Sequence, residues 1–394
     1  VIKKHSHYMQ YDLIIILILF ISVSLLGIYS ADHMEQYSGN NFVIKQLLWY
    51  LLGIGFLVII QFLDLDQLNR ASIYIYFFSV LLLIALFLSP ESIAKPIKGA
   101  KSWFNQINGK PLPLSIQPSE FAKIGFILFL SSTISKHKNK FATATLKSDI
   151  ILLAKIIGIT LLPIAFISQE SDFGSSMVYV FIAGVMILLS GINWRIIITL
   201  AIGGATFLGV AFWIIVTFPE LSQNILGLEQ YQINRVLNWF DPSHEDRDTY
   251  QFDLSIMALG SGQLFGKGIG NLEVYVPEAH SDFIFSIIGE TFGFVGSSLV
   301  ILLYFILLYR LLILGMKVYD YSKFAAYICF GYLSLIFIHA FQNIGMIVGV
   351  MPITGIPLLL LSYGGSSIMA TMIGYGLVYR VAVEVSIQDD YLFK

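Results

Sequence analysis

Apolar residues fall along this chain in blocks of about twenty, set apart by short polar breaks and by breaks rich in glycine and proline. An α-helix rises about 1.5 Å per residue, so a block of that length crosses the hydrocarbon core of a bilayer. By this measure ten spans are expected, at roughly 12–31, 44–63, 72–89, 118–135, 150–168, 174–191, 195–217, 283–309, 324–349 and 357–381. The pair flanking Asp172 can also be read as one broken hairpin. An even number of spans puts both termini on the same side. The basic start at Lys3-Lys4 and the loop Lys136-His137-Lys138-Asn139-Lys140 then fall together, on the side that the positive-inside rule makes cytoplasmic. Thirteen Lys and Arg lie on that side, seven lie outside, and Lys45, Lys123 and Lys155 sit within spans. The expected fold is an all-α polytopic membrane protein, one integral-membrane domain over 1–394. Its longest extracytoplasmic loop, about 218–282, separates the seventh span from the eighth.

Composition agrees with that pattern. Hydrophobic residues make up 57% of the chain and charged residues 12%, with a mean hydropathy of +0.78, whereas soluble domains carry about 25% charged residues. A net charge of −2 excludes a bulk electrostatic partner such as nucleic acid. The lone Cys329 excludes an intramolecular disulfide and a cysteine-based metal site. The apolar stretch after Lys3-Lys4 is too long for a signal-peptide core and has no small-residue cleavage site after it, so the first segment is expected to anchor the chain. Two outer loops hold basic residues where the positive-inside rule disfavours them. One, 90–117, carries Lys95, Lys98, Lys101, Trp103 and Lys110; the other carries Arg235, Arg247 and Lys267. An anionic ligand such as a lipid pyrophosphate accounts for them, and so does pairing with the loops' own carboxylates. Trp239, Phe240, Tyr250, Phe252 and Phe265 make the longer loop too aromatic for plain linker and predict short amphipathic helices on the membrane surface.

Four polar constellations interrupt the apolar blocks. The first is Pro277-Glu278-Ala279-His280-Ser281-Asp282, which leads directly into Phe283-Ile284-Phe285. Asp282 heads the eighth span, between burial, which disfavours charge, and a helix N-terminus, which favours it. A carboxylate so balanced suits a general base acting on a sugar hydroxyl. An N-cap role for Ser281 or Asp282 explains one residue, not Glu278, His280 and Asp282 together. These groups match no strong metal-ligand spacing; no cofactor is implied, though a divalent cation is compatible with them. The second constellation is Gln117-Pro118-Ser119-Glu120-Phe121-Ala122-Lys123. Pro118 and Glu120 are ordinary helix-start residues, but Lys123 lies one turn beyond Glu120 on the same face, and such a pair should face a polar cavity rather than lipid. In the third, Gln169-Glu170-Ser171-Asp172-Phe173-Gly174-Ser175-Ser176, Asp172 either caps the sixth helix or lines the same cavity. The fourth joins Pro352-Ile353-Thr354-Gly355-Ile356-Pro357 to Leu361-Ser362-Tyr363-Gly364-Gly365-Ser366-Ser367. Its prolines and paired glycines break a helix at membrane depth, which is tolerated only inside protein or beside a cavity. Its hydroxyls and free N–H groups suit a sugar or phosphate.

Two features read as ordinary structure. The run Gly260-Ser261-Gly262-Gln263-Leu264-Phe265-Gly266-Lys267-Gly268 is P-loop-like, but four residues do not separate any Gly from Gly266-Lys267, and Gly follows the lysine instead of Ser or Thr. His339, within an apolar block, is expected to bond across helices rather than to act as a ligand.

Taken in this order, the constellations resemble the SEDS family of bacterial shape, elongation, division and sporulation proteins (the RodA/FtsW group), across nearly the whole chain. The most specific pieces are Gln117-Pro118-Ser119-Glu120, the run from Pro277 to Phe285, and Ser362-Tyr363-Gly364-Gly365-Ser366-Ser367. The resemblance implies a ten-span peptidoglycan glycosyltransferase of the bacterial cell membrane that polymerises lipid II and works with a class B penicillin-binding transpeptidase. It implies that Asp282 is the essential aspartate, and that Glu120, Lys123, Trp103, Asp172 and Arg235 meet the lipid-linked substrates together with Tyr363 and Ser366 of the broken segment. Departures from the family pattern are Ser102 where Arg often stands, Ser171 and Ser175 for Pro and Thr, Thr291 for a second Glu, and Leu359 for Pro. The stretch from Leu259 to Gly268 resembles the RodA elongation type more than the division type. A transporter that flips a prenyl-linked sugar is the rival reading, since many spans, intramembrane charge and broken helices suit a carrier too. The charged groups are expected at the outer face rather than the midplane, which favours the enzyme. A third reading is a scaffold that recruits a partner enzyme.

Overall fold

A helix stands in each of the ten apolar blocks. The computed structural model describes residues 8–34, 41–97, 100–107, 109–141, 145–170, 172–218, 233 and 247–392. The helices are α1 (Tyr11–Asp32), α2 (Phe42–Ile60), α3 (Leu65–Leu88), α4 (Pro118–Lys140), α5 (Leu146–Ile167), α6 (Phe173–Leu189), α7 (Trp194–Thr217), α8 (Arg247–Ser261), α9 (Ile284–Val318), α10 (Lys323–Ile347) and α11 (Gly365–Leu392). Eight of them, α1, α2, α3, α5, α7, α9, α10 and α11, are long and apolar enough to cross a membrane. The protein is therefore an all-helical polytopic membrane protein.

The other two helices in apolar blocks depart for physical reasons. α6 has only 17 residues. α4 is polar because its neighbours are protein: it packs against α3, α5, α10 and α11, and its Ser119, Glu120, Lys123, Ser131, Ser132 and Ser135 are buried. α10 and α11 complete this centre, with 83% of each span buried, whereas only 6% of α7 is buried. α8 lies in the long loop and turns Ser255 and Ala258 inward as it packs on α9 and α10.

The P-loop-like stretch has a folding role. α9 breaks at Gly293 (φ 68°, ψ −163°), which releases backbone groups that a helix would pair. The loop after α8 takes them up. Lys267 N–H donates to Glu290 O at 2.9 Å and Gly268 N–H to Thr291 O at 3.0 Å, while Phe294 N–H donates to Gln263 O at 2.8 Å and Val295 N–H to Leu264 O at 3.1 Å. This approach requires bare backbone: a Cβ on Gly266, which has φ +78°, would lie 2.1 Å from Thr291 O. Gly266→Ala is therefore expected to lower the thermal midpoint of the purified protein by several degrees. Gly209→Ala, on α7 with nothing within 4 Å of the added atom, should leave it unchanged or raise it. Equal midpoints for Gly266→Ala and the parent would contradict this packing.

Two expectations need correction, and the 90–117 loop holds a hairpin that its sequence did not bring out. There β1 (Phe104–Ile107) pairs antiparallel with β2 (Lys110–Ile116), Ile107 opposite Lys110. The missed signal was Asn108-Gly109 between apolar positions, a favoured hairpin turn, and Gly109 has φ +76°. The basic run Lys136–Lys140 is the last turn of α4 rather than a loop, where cations favour the helix dipole. The tenth block, expected as a span from 357, is non-helical up to 364 and becomes helix only at Gly365.

Candidate functional site

Broken backbone inside a bilayer needs internal partners for its carbonyls, and side chains on α1, α2, α9 and α10 supply them for 352–364. Tyr50 OH donates to Leu360 O at 2.7 Å, Ser24 Oγ to Leu361 O at 2.8 Å, and Gln46 Nε2 to Ser362 O at 3.1 Å. Tyr304 OH donates to Leu359 O and Gln342 Nε2 to Pro352 O at 2.9 Å. Within the segment, Leu358 N–H donates to Ser362 Oγ at 2.8 Å. None of Gln46, Tyr50, Gln342 or Asn343 stood out in the sequence. The available signal was an amide or phenol set into an otherwise apolar block.

This segment holds Asp282 in place. Asn343 Nδ2 bridges the two strands of chain, donating to Asp282 O at 2.7 Å and to Ile356 O at 2.8 Å. Ser362 Oγ donates to Ser281 O at 2.7 Å, and Tyr363 N–H donates to His280 O at 2.9 Å. The turn before Asp282 places Glu278 at φ +53°, a conformation that costs a non-glycine residue energy and needs surrounding structure to hold it. Glu278 O accepts from Ser281 N–H at 3.1 Å in that turn. Asp282 is half-buried and lies just outside α9, whose N-cap is Phe283. Gly355 has φ +69°, and a Cβ there would lie 3.7 Å from Asp282 Oδ2, so the bare glycine leaves room beside the carboxylate. His280 stacks on Phe42, ring centroids 4.3 Å apart, and Tyr363 meets the same Phe42 ring edge-on at 4.8 Å. Phe42, His280 and Tyr363 thus form one aromatic cluster at the turn that precedes Asp282.

The start of α4 joins the same assembly. Gln117 N–H donates to Ser366 Oγ at 2.9 Å, and Gln117 Nε2 donates to Asp172 Oδ2 at 3.4 Å. Asp172 caps α6, with Oδ1 accepting from Ser175 N–H at 2.9 Å and Oδ2 from Ser175 Oγ at 2.7 Å. Its capping role and its contact with Gln117 coexist. A Cβ on Gly174 would lie 3.1 Å from Thr354 O, so the first turn of α6 also packs on the broken segment.

Deeper along α4, Lys123 Nζ pairs with Glu120 Oε1 at 2.7 Å, with side chains 2% and 5% exposed. Lys123 also donates to His339 Nε2 at 3.3 Å, and His339 Nδ1 bonds to Pro357 O at 2.9 Å. A carbonyl can only accept, so Nδ1 carries the proton and Nε2 accepts from the ammonium. His339 is thereby an inter-helix bonding residue, and it ties the ion pair to the residue next to Ile356. Asp282, just ahead of α9, and Lys123, on α4, are far apart in the chain, yet both are tied to the Gly355–Pro357 stretch.

Other predicted residues stand apart. Trp103 is half-buried just ahead of β1, and neighbouring Lys101 donates to the carbonyls of Phe87 and Ser89 at the end of α3. Lys267 pairs with Glu273 at 2.9 Å and with buried Glu290 at 3.0 Å. Burial alone would lower the Lys267 ammonium, but the two carboxylates outweigh it and hold the group above its ordinary value. Arg235, Trp239 and Phe240 lie outside the described residues. Among the described residues, no three His, Cys, Asp or Glu side chains cluster as a metal site would require.

Comparison with known proteins places this arrangement. The chain is 30% identical over 393 residues to a protein of Marinomonas mediterranea named a probable peptidoglycan glycosyltransferase FtsW, covering 96% of this chain and 90% of that one. It is 31% identical to a Borreliella burgdorferi protein of the same name, covering 95% and 96%. Among solved structures it is similar to a chain described under the coordination of polymerization and crosslinking by a peptidoglycan synthase complex, with a TM-score of 0.76, 25% identity, and 96% and 98% of the two chains covered. It shares the fold of the rod shape determining protein RodA of Thermus thermophilus, with a TM-score of 0.65, 24% identity, and 95% and 96% covered. The model of the FtsW/RodA/SpoVE family, described as cell cycle protein, matches residues 5–387, and the chain belongs to that family.

Proposed function

We propose that this protein is a peptidoglycan glycosyltransferase that polymerises lipid II at the outer face of the bacterial cytoplasmic membrane. In this reading it is a single integral-membrane domain that crosses the bilayer ten times with both termini in the cytoplasm. The observation that carries it is that Asp282 and the Glu120–Lys123 pair are both tied to the 355–357 stretch of one non-helical segment. That arrangement puts a base and a cation on one frame. Names of the curated relatives support the reaction class.

In the reaction, Asp282 takes the proton of the acceptor GlcNAc 4-hydroxyl as its oxygen forms a bond to C1 of the donor MurNAc. The bond from C1 to the pyrophosphate oxygen breaks, and undecaprenyl pyrophosphate leaves with inversion at C1. Lys123 and Arg235 stabilise charge developing on the leaving group, with Glu120 holding Lys123. Trp103, Asp172, Tyr363 and Ser366 position sugar and prenyl chain. A class B penicillin-binding transpeptidase is the expected partner, in keeping with the synthase complex in which a structural relative was solved. The elongation role rests on the resemblance of Leu259 to Gly268, the stretch that caps the α9 break; the curated relatives above carry the name FtsW.

The test is purified protein in liposomes with lipid II, with and without the transpeptidase. Glycan strands are expected. Movement of lipid II between leaflets without strands would instead identify a flippase, and neither activity under both conditions would leave a scaffold.

A further inference from the structure

At the other end of α4 lies a feature that glycosyl transfer does not use. A groove of about 570 Å³ runs between α3, α4 and α5, its lining including Phe77, Phe129, Lys136, Lys140, Lys155 and Leu162. On α4 the lining begins at Phe129, six residues and about 9 Å beyond Lys123, and its basic end at Lys136 lies sixteen residues and about 24 Å beyond Glu120.

The lining is graded along both helices. On α4 it passes from Phe129 through Thr133 to Lys136, His137 and Lys140; on α5 it passes from Leu162 through Ile159 and Gly158 to Lys155. These positions recur every three or four residues, so each set occupies one helix face. All three lysines line this one groove, and Lys155 acts electrostatically on His137 of α4. Among the described residues none of them has a carboxylate within ion-pairing distance. Lys155 is also set in an apolar helix, where an unpaired charge is costly. Phe77 is 51% exposed and Leu162 37% exposed, so the apolar part faces the membrane rather than the bundle. Gly158 lines the groove, and a Cβ there would meet nothing within 4 Å.

We propose that this groove binds an anionic phospholipid, with its phosphate at Lys136, Lys140 and Lys155 and an acyl chain along Phe77, Phe129 and Leu162. A soluble anion would satisfy only the lysines, and a zwitterionic phospholipid would bring its own ammonium beside them. An anionic amphiphile matches the whole gradient. The positive-inside rule places this end in the cytoplasmic leaflet, where basic pockets between helices recognise such headgroups.

The test uses the full chain in detergent, with lipid retention read by native mass spectrometry and the thermal midpoint read in parallel. Phosphatidylglycerol, phosphatidylcholine and inorganic phosphate are the probes. Phosphatidylglycerol alone is expected to be retained and to raise the midpoint. The triple variant Lys136→Gln, Lys140→Gln, Lys155→Gln should weaken its binding by roughly a hundredfold. Gly158→Leu, which fills the groove without touching a charge, should weaken it too and provides the test if the triple variant does not fold. The proposal fails if phosphatidylcholine binds as well as phosphatidylglycerol, or if folded variants keep parental affinity. It also fails if inorganic phosphate alone reproduces the midpoint shift, since the occupant would then be a soluble anion.

Discussion

Asp282→Asn is expected to cut glycan-strand formation from lipid II by about 10² to 10⁴, the usual contribution of a general base, with little change in thermal midpoint. Three contacts that hold this position in place run through backbone. Asn343 holds the Asp282 carbonyl, Ser362 holds the Ser281 carbonyl, and Tyr363 N–H holds the His280 carbonyl. An amide of the same shape leaves each of these three in place and takes away the basic oxygen. Polymerisation rates of purified parent and variant, with midpoints measured on the same samples, decide the matter. A variant that is folded and near parental in rate would show that Asp282 is not the base.

The second large effect concerns stability. Lys123→Met is expected to destabilise the protein by about 3–5 kcal/mol, because it strands a buried carboxylate without its cation. Glu120 is 5% exposed and Lys123 1% exposed, so solvent cannot replace the lost partner. The double variant Glu120→Gln, Lys123→Met should recover most of the loss, since a buried pair replaced as a unit costs much less than one broken in half. Under the proposed function the recovered double variant should remain poor at polymerisation. Midpoints for the parent, both single variants and the double variant test the first part. A Lys123→Met protein as stable as the parent would refute the coupling, while a stable and active double variant would confine the pair to a structural role.

The legibility of these residues divides by the range of the interaction. Glu120 and Lys123 were readable as a pair because a helix brings positions three apart onto one face. Asp172 was readable as a cap because the side chain and the N–H it accepts are three residues apart. The hairpin at 104–116 was also local, signalled by Asn108-Gly109 but overlooked among the prolines of the loop. By contrast, nothing near His339 announces Lys123, 216 residues away, and nothing near Tyr50 announces Leu360, 310 residues away.

By itself, then, the sequence determined where the helices lie, that the chain belongs in a membrane, and which polar clusters stand at the ends of its apolar blocks. Hydropathy, helix periodicity and capping act within a few turns, so they are written in contiguous residues. Only the tertiary structure decided which clusters share one frame, why the 260–268 glycines are needed, and where three lysines line one groove with no counter-charge among the described residues. The physical reason is that backbone and charge removed from water must find partners inside the protein. For the break at 352–364 and the kink at Gly293, those partners come from distant parts of the chain.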